Sequence, residues 1–336
     1  MRVSVVIPAF NAATFIRRTI DSVLAQSYRD FEVIVVDDGS PDNTSEVAGS
    51  YGAPVRCIRQ ANAGDAAARN AGIAAADGPW IAFLDHDDEW LPAKLERQMH
   101  LLAEQPHLRW CCTNRYETDG SRRTAVGAPE IIDEALAGRG YFEDFFSAYV
   151  RGVCPIITSA LIVHREVFAQ VGLFDTRYPR ASDLDMRWRI AYQFPPIGYL
   201  SEPLALCHLN VQDTVTQRLS LASKRGDEAR RLIAEHLDLA RRHGRIEVFT
   251  PVAARTLRTC LVTAIYHGCK ADARETVRQF PDLLPRRWRW AAYALTVLPR
   301  VTLVLAQGLA YLLFKLRLQR QVSRRWVFGR NLVRPS

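Results

Sequence analysis

Residues 80–90 read Trp80-Ile81-Ala82-Phe83-Leu84-Asp85-His86-Asp87-Asp88-Glu89-Trp90. An apolar run of strand length delivers four carboxylates within five residues at its C-terminal end. Like charges this close disfavour one another's ionised form unless a cation sits among them. Mg²⁺ and Mn²⁺ suit such oxygen-only groups, and they retain waters and substrate phosphates in their shell. A second reading of the same residues is a polar loop that caps the next helix, with Asp as N-cap and Pro92 in the first turn.

Outward from this strand, apolar strand signals alternate with helix signals. Strands are expected at 3–7, 31–36, 55–59, 80–84 and 109–113, and helices at 14–26, 65–76 and 94–104. In the first helix Phe15, Ile16, Ile20, Val23 and Leu24 share one face. A turn at 38–42 leads into a short helix. Near-continuous apolar strands separated by helices imply an α/β fold whose mainly parallel sheet is covered on both faces. Ligands of such sheets bind beyond the C-terminal strand ends. Pro8-Ala9-Phe10-Asn11, Asp37-Asp38 and residues 85–88 all lie at such ends, so the pattern predicts one shared crevice. Further on, 120–140 has no sustained period and reads as a loop or flap, 156–163 as a strand, 183–192 as a helix, and 221–278 as two or more helices.

The first βα turn, Pro8-Ala9-Phe10-Asn11-Ala12-Ala13, contains no glycine. That argues against a dinucleotide oxidoreductase, which needs GxGxxG there, and against a nucleotidyltransferase with a glycine-rich basic loop. The seven cysteines form no CxxC pair, so neither a disulfide framework nor a zinc site is expected and a reducing cytoplasm is. The start of the chain reads as a strand, its apolar run being too short for a signal peptide.

Val5-Val6-Ile7-Pro8-Ala9-Phe10-Asn11, Val35-Val36-Asp37-Asp38-Gly39-Ser40, Asn62-Ala63-Gly64 with Ala68-Arg69-Asn70-Ala71-Gly72, and Leu84-Asp85-His86-Asp87-Asp88-Glu89-Trp90 together resemble the family 2 glycosyltransferases. Gly172-Leu173-Phe174-Asp175 and Ser182-Asp183-Leu184-Asp185 with Arg189 resemble that family's acceptor side. The resemblance covers about residues 1–215. It implies a GT-A, Rossmann-like fold and inverting transfer from a UDP- or dTDP-type nucleotide-sugar to a hydroxyl of a glycan or lipid-linked acceptor, in cell-surface polysaccharide synthesis.

The resemblance also implies roles. Asp38 would accept the imide N–H of the base, beside a wall of Pro8 and Phe10; the other reading of Asp37-Asp38 is an Asx-turn. Arg69 would meet phosphate or base edge, unless it is a solvated helix arginine. Asp85 would face the ribose. Asp87 would hold Mn²⁺ or Mg²⁺, with Asp88 and His208 as further ligands or neighbours. Asp183 would be the catalytic base, with Asp185 next in order. The family's Glu before that Asp is Ser182 here, which also suits an N-cap. Its loss motivates an alternative, a degenerate nucleotide-binding scaffold subunit of a glycan-assembly complex.

Charge divides the chain. Residues 1–220 carry a net −7 and residues 221–336 a net +15. No acid follows Asp282, while eleven Lys and Arg do. The arginines alternate with apolar stretches at 290–298 and 301–314, a pattern that speaks against nucleic acid and for an anionic membrane surface. Neither stretch reaches the ~20 residues of a spanning helix. A buried helical hairpin is the other reading. The expected organisation is a catalytic domain at 1–215, with a nucleotide-sugar half to 115 and an acceptor side from 116. A basic helical region at 216–336 would follow, peripheral at the cytoplasmic face of the membrane.

Overall fold

The computed structural model describes residues 1–209, 224–266 and 269–297. In order these form β1 (Val3–Ala9), α1 (Ile16–Leu24), β2 (Phe31–Asp37), α2 (Thr44–Gly49), β3 (Val55–Arg59), α3 (Asp65–Ala75), β4 (Trp80–Phe83), β5 (Glu89–Trp90) and α4 (Lys94–Glu104). Then come β6 (Trp110–Thr118), β7 (Arg123–Ala125), α5 (Pro129–Leu136), β8 (Tyr141–Phe142), α6 (Phe145–Arg151), a 3₁₀ turn (Thr158–Ala160), β9 (Ile162–His164), α7 (Arg165–Val171), α8 (Ser182–Gln193) and β10 (Ile197–His208). The remaining helices are α9 (Lys224–Arg242), α10 (Ile246–Tyr266), α11 (Lys270–Gln279) and α12 (Arg286–Val297).

One sheet runs β3-β2-β1-β4-β9-β6-β10-β5, with β7 and β8 attached to β6 and β10. The long pairings, β3 with β2, β2 with β1, β1 with β4 and β6 with β10, are parallel. The antiparallel pairings of β5, β7, β8 and β9 extend over two or three residue pairs each. All of β1 is buried, which accounts for its unbroken apolar sequence. Helix α1 buries Ile16, Thr19, Ile20 and Val23, an i, i+3, i+4, i+7 stripe in which Thr19 is polar because it serves the loop after β4.

Two expectations fail. Residues 120–140 are not a featureless loop: they hold β7 and α5, whose buried Ile132 and Leu136 make too short a stripe to register as periodic. The strand expected at 156–163 is reduced to β9, because residues 158–160 turn in 3₁₀ form and bring Ser159 beneath the end of β4.

The chain divides into two compact units. One joins Met1–Leu221 to Arg231–Val252, and the other joins Ala222–Arg230 to Ala253–Ser336. In the first, Phe249 packs edge-on to Trp188 and beside Tyr192 and Phe146. In the second, Arg274 of α11 donates to the Thr296 hydroxyl and carbonyl on α12. Among the described residues one helical stretch, Ile246–Ile265, is long and apolar enough to cross a membrane by length and composition. Its residues Phe249 and Val252 are fully buried. The apolar stretch 301–314 lies outside the described residues.

Helix α3 approaches β1 so closely that a Cβ on Gly72 would collide with the Val6 side chain. Val6 is β-branched and itself buried, so it has little room to yield. Gly72→Ala should therefore destabilise the fold by ~1–3 kcal/mol despite alanine's better helix propensity. Chemical denaturation measures it, and an equal or higher unfolding midpoint would refute the close packing.

Candidate functional site

The three expected strand ends meet. The Asp38 amide donates to the Ala9 carbonyl at 2.8 Å, closing β2 onto β1. His86 Nδ1 lies 3.2 Å from the Pro8 carbonyl, closing the loop after β4 onto β1 from the other side. Pro8 is buried within β1 and Phe10 is half-buried just past it.

The two acids after β2 divide their work. Asp37, fully buried, accepts from the Ser40 amide at 2.9 Å and from the Ser45 hydroxyl, with Arg59 3.5 Å away. Asp37 thus closes the turn after β2 on the amide three residues on, one residue beyond an Asx-turn. Asp38 points its carboxylate at the loop before α3, accepting from Gln60 Nε2 at 2.7 Å and from the amides of Ala63 (2.9 Å) and Gly64 (2.7 Å). The loop comes this close because Gly39 lacks a side chain: a Cβ there would stand 2.9 Å from the Asn62 amide nitrogen. Its φ of +75° also favours glycine.

Around Asp85, Asp87 and Asp88 the protein builds a frame. From α1, Thr19 Oγ1 lies 2.8 Å from the carbonyls of His86 and Asp88, and Arg18 donates to the Asp87 carbonyl at 2.8 Å. From the 3₁₀ turn, the Ser159 hydroxyl donates to Asp88 Oδ2 at 2.6 Å and accepts from the Asp85 amide at 3.2 Å. Trp90 Nε1 in turn donates to the Ser159 carbonyl at 2.6 Å, and the buried Lys94 ammonium lies 3.8 Å from the centre of the Trp90 ring. Burial drives the Lys94 pKa down to about 7. None of Thr19, Ser159 or Lys94 was legible as a site residue in the sequence. Thr19 occupies a core position of α1 and Ser159 sits in a stretch that reads as a strand, and both act through contacts with residues distant in the chain, whereas Lys94 meets Trp90 and Gln98, four positions to either side.

Arg69 is not a solvated helix residue. It is buried and donates to Asp85 Oδ1 at 2.7 Å, with its guanidinium carbon 5.7 Å from the centre of the Phe174 ring. Burial opposes its charge, but Asp85, Asp65 and Asp183 together hold its pKa above the ordinary value. Next to it, Asn70 makes a two-way bridge to the Phe174 backbone, donating to the carbonyl at 2.8 Å and accepting from the amide at 2.9 Å. Arg69-Asn70 thus stitches the first half of the chain to the Gly172–Asp175 segment. Asp175 itself pairs with Arg177 at 2.7 Å, a structural role.

On α8, Asp183 is half-buried and accepts from Arg187 Nη2 at 2.5 Å, while Arg187 also donates to the Ile156 carbonyl. Asp185 is buried between Arg189 at 2.6 Å and His236 Nε2 at 3.0 Å. Burial would raise its pKa, but hydrogen bonds from His236 and Arg189 outweigh that and lower it. Ser182 is the first residue of α8 rather than its cap, which is Ala181. His208 Nε2 lies 2.7 Å from Glu89 Oε1, and its amide lies 3.4 Å from Asp88 Oδ1.

The acid cluster is electrostatically frustrated. Burial, then Asp87 and Asp85, push the Asp88 carboxyl up to about 8. Burial also raises Asp87, with Asp85 adding to it and His86 opposing. Among the described residues, the Asp87 carboxylate takes a hydrogen bond from its own amide and from no other side chain. No group of three or more His, Cys, Asp or Glu among the described residues is arranged to hold a metal by itself. A group of one or two carboxylates is nonetheless what a Mg²⁺-type site offers when substrate phosphates supply the other oxygens.

The sequence model of glycosyl transferase family 2 matches residues 4–171. An uncharacterised glycosyltransferase of a Nostoc species is 48% identical over 198 residues, 56% of each chain. One from Rickettsia typhi is 43% identical over 194 residues, 55% of this chain and 57% of the relative. One from Rickettsia felis is 31% identical over 199 residues, 56% of this chain but 31% of the relative. The chain thus matches about a third to just over half of the length of these relatives. Among solved structures, residues 1–349 of S. aureus TarS in complex with UDP-GlcNAc superpose with a TM-score of 0.67 at 17% identity, covering 88% of both chains. At that identity the likeness is one of fold, and it is the GT-A fold expected from the motifs.

An Asp pKa raised above its unfolded value of about 4 reverses the usual acid dependence. Below pH ~4 Asp88 is protonated in both states. From there to about 8 the native state holds a proton that the unfolded state has released, so stability falls as pH rises. Asp88→Asn carries no charge and should melt higher than wild type at pH 8 in EDTA, with the difference closing toward pH 4. A pH-independent difference in melting temperature would refute the assignment.

Proposed function

Because the chain belongs to glycosyl transferase family 2, we propose that it moves a sugar from a nucleoside-diphosphate sugar to an acceptor hydroxyl with inversion. The observation that supports this reading is the link made by Arg69-Asn70, which joins Asp85 at 2.7 Å to the Phe174 backbone at 2.8 and 2.9 Å and so ties the donor-side acids to the segment leading into α8. In this reading the carboxylate near the start of α8 serves the same site as the donor-side cluster. TarS, whose fold this chain shares, was solved with UDP-GlcNAc and with UDP, which supports a uridine-type donor.

In this reading Pro8 and Phe10 flank the base. Asp38 either accepts its imide N–H on a remaining lone pair or shapes the loop at 60–64 that does so. Arg69 holds Asp85 toward the ribose. Asp87 would hold a divalent ion, Mn²⁺ or Mg²⁺, with the donor's diphosphate, and Asp88 and His208 stand beside it. Such an ion, when bound, supplies positive charge against the leaving diphosphate. Asp183 takes the proton from the acceptor hydroxyl, whose oxygen attacks the anomeric carbon as the bond to the diphosphate breaks. Arg187 fixes the Asp183 carboxylate in position. The acceptor is a glycan or a lipid-linked glycan of a cell-surface polysaccharide, met at the cytoplasmic face of the membrane.

Calorimetry with UDP should show binding at least tenfold tighter in Mn²⁺ than in EDTA, and Asp87→Asn should remove most of that gain, since an amide oxygen is a weaker ligand for a hard cation. Metal-independent binding by wild type would sink the role given to Asp87.

Asp183→Asn should lower turnover by ~10²–10⁴-fold while leaving UDP affinity unchanged. Full turnover by this variant would move the base elsewhere. Wild type that binds UDP yet releases no diphosphate with any acceptor would fit the scaffold reading instead.

A further inference from the structure

Helix α12 presents a face that the catalytic reading leaves unused. At 3.6 residues per turn, positions 286, 290, 293 and 297 fall on one stripe. They are Arg286, Trp290, Tyr293 and Val297, and the last three are 74%, 46% and 74% exposed. Arg287 and Arg289 lie to either side of that stripe, Arg287 exposed and Arg289 partly so. Round one flank of the helix, about 90–130° from the stripe, lie the buried Ala292 and Thr296, the latter held by Arg274. The helix is therefore anchored by one edge, with a Trp-Tyr-Val stripe outward and arginines along its borders.

We propose that this face of α12 is the element that seats the protein on an anionic lipid bilayer, a proposal that rests on the membrane location given above. Charge supports the bilayer as occupant: Arg286, Arg287 and Arg289 stand on the helix itself and no acid lies among its residues, so the borders of the stripe attract a polyanionic surface. Side-chain chemistry supports it as well. Trp and Tyr place an apolar ring and a polar edge at the headgroup boundary, and arginines at the borders of the stripe reach lipid phosphates. Its 12 described residues are enough to lie in the interface.

The test is sedimentation of the full chain with vesicles of phosphatidylcholine alone or with phosphatidylglycerol added. Wild type should sediment with the anionic vesicles at low salt and be released at high salt. Trp290→Ala/Tyr293→Ala should reduce partitioning about tenfold or more. Arg286→Gln/Arg287→Gln/Arg289→Gln, which keeps the apolar stripe and the helix, should reduce it by roughly fivefold per arginine. Both variants should bind UDP as wild type does, which checks their folding. If wild type sediments and both variants sediment equally, another element makes the contact: this inference falls and the membrane location stands. If wild type remains in the supernatant at low salt, both fall. A wild-type dimer that the double variant dissociates, with no vesicle binding, would make the stripe a self-association surface and overturn the proposal.

Discussion

Crowded negative charge at the end of β4 is the constraint around which the catalytic unit is organised. Asp85, Asp87 and Asp88 sit at the close of a buried strand, Asp88 buried and the other two half-buried, and Asp88 responds by binding its proton more tightly. Such a cluster would spread apart unless it were held. Thr19 and Arg18 hold its backbone from α1, Ser159 holds it from the 3₁₀ turn, and Arg69 offsets one of its charges from α3. Three separate segments are fixed in place by a feature that would cost stability if stability were its only purpose. Removing one partner of such a buried charged network leaves its neighbours uncompensated, so each segment is tied to the others more tightly than its own packing requires.

Transfer chemistry needs donor and acceptor groups in one frame, and here the joint is Phe174. Its ring meets Phe83 of β4 edge-on and lies beside the Arg69 guanidinium, while its backbone is bridged by Asn70. A shift of α3 would therefore move both the pair Arg69–Asp85 and the segment leading into α8. Geometry of this kind makes the positions of the proposed donor and acceptor groups mutually dependent, because misplacement of ~1 Å is enough to slow a reaction steeply.

Much of this was readable in advance because strand ends are marked by simple changes of composition. Ile7-Pro8, Val36-Asp37 and Leu84-Asp85 each mark the end of an apolar run, and the residues just after them are hydrogen-bonded together. Arg69 was readable as a site residue but not as a buried one, since a lone arginine in an alanine-rich helix gives no sign of the carboxylate sixteen residues on that it pairs with. Ser159 and Lys94 were invisible for a related reason. A serine in an apolar stretch and a lysine at a helix start look the same whether solvated or buried, and only tertiary contacts decide between them. The segment 120–140 was misread because β7 and α5 are each too short for periodicity to emerge from noise.

Two aspartates stand one residue apart on either side of Leu184, and their surroundings separate them. Asp185 is locked between Arg189 and His236, the histidine arriving from α9 and itself bonded to Tyr192. A carboxylate so buried and so stabilised in its charged form can neither reach an acceptor nor take up a proton readily. Asp183 is 35% exposed and has one arginine partner. The role proposed for Asp183 belongs to a reaction whose transition state resembles an oxocarbenium ion. There the attacking hydroxyl forms little bond before the leaving group has largely departed, so its proton is lost late and a strong base offers little advantage. What the step requires instead is a carboxylate held still at the correct distance. Arg187, bonded to both Asp183 and the Ile156 carbonyl, supplies that.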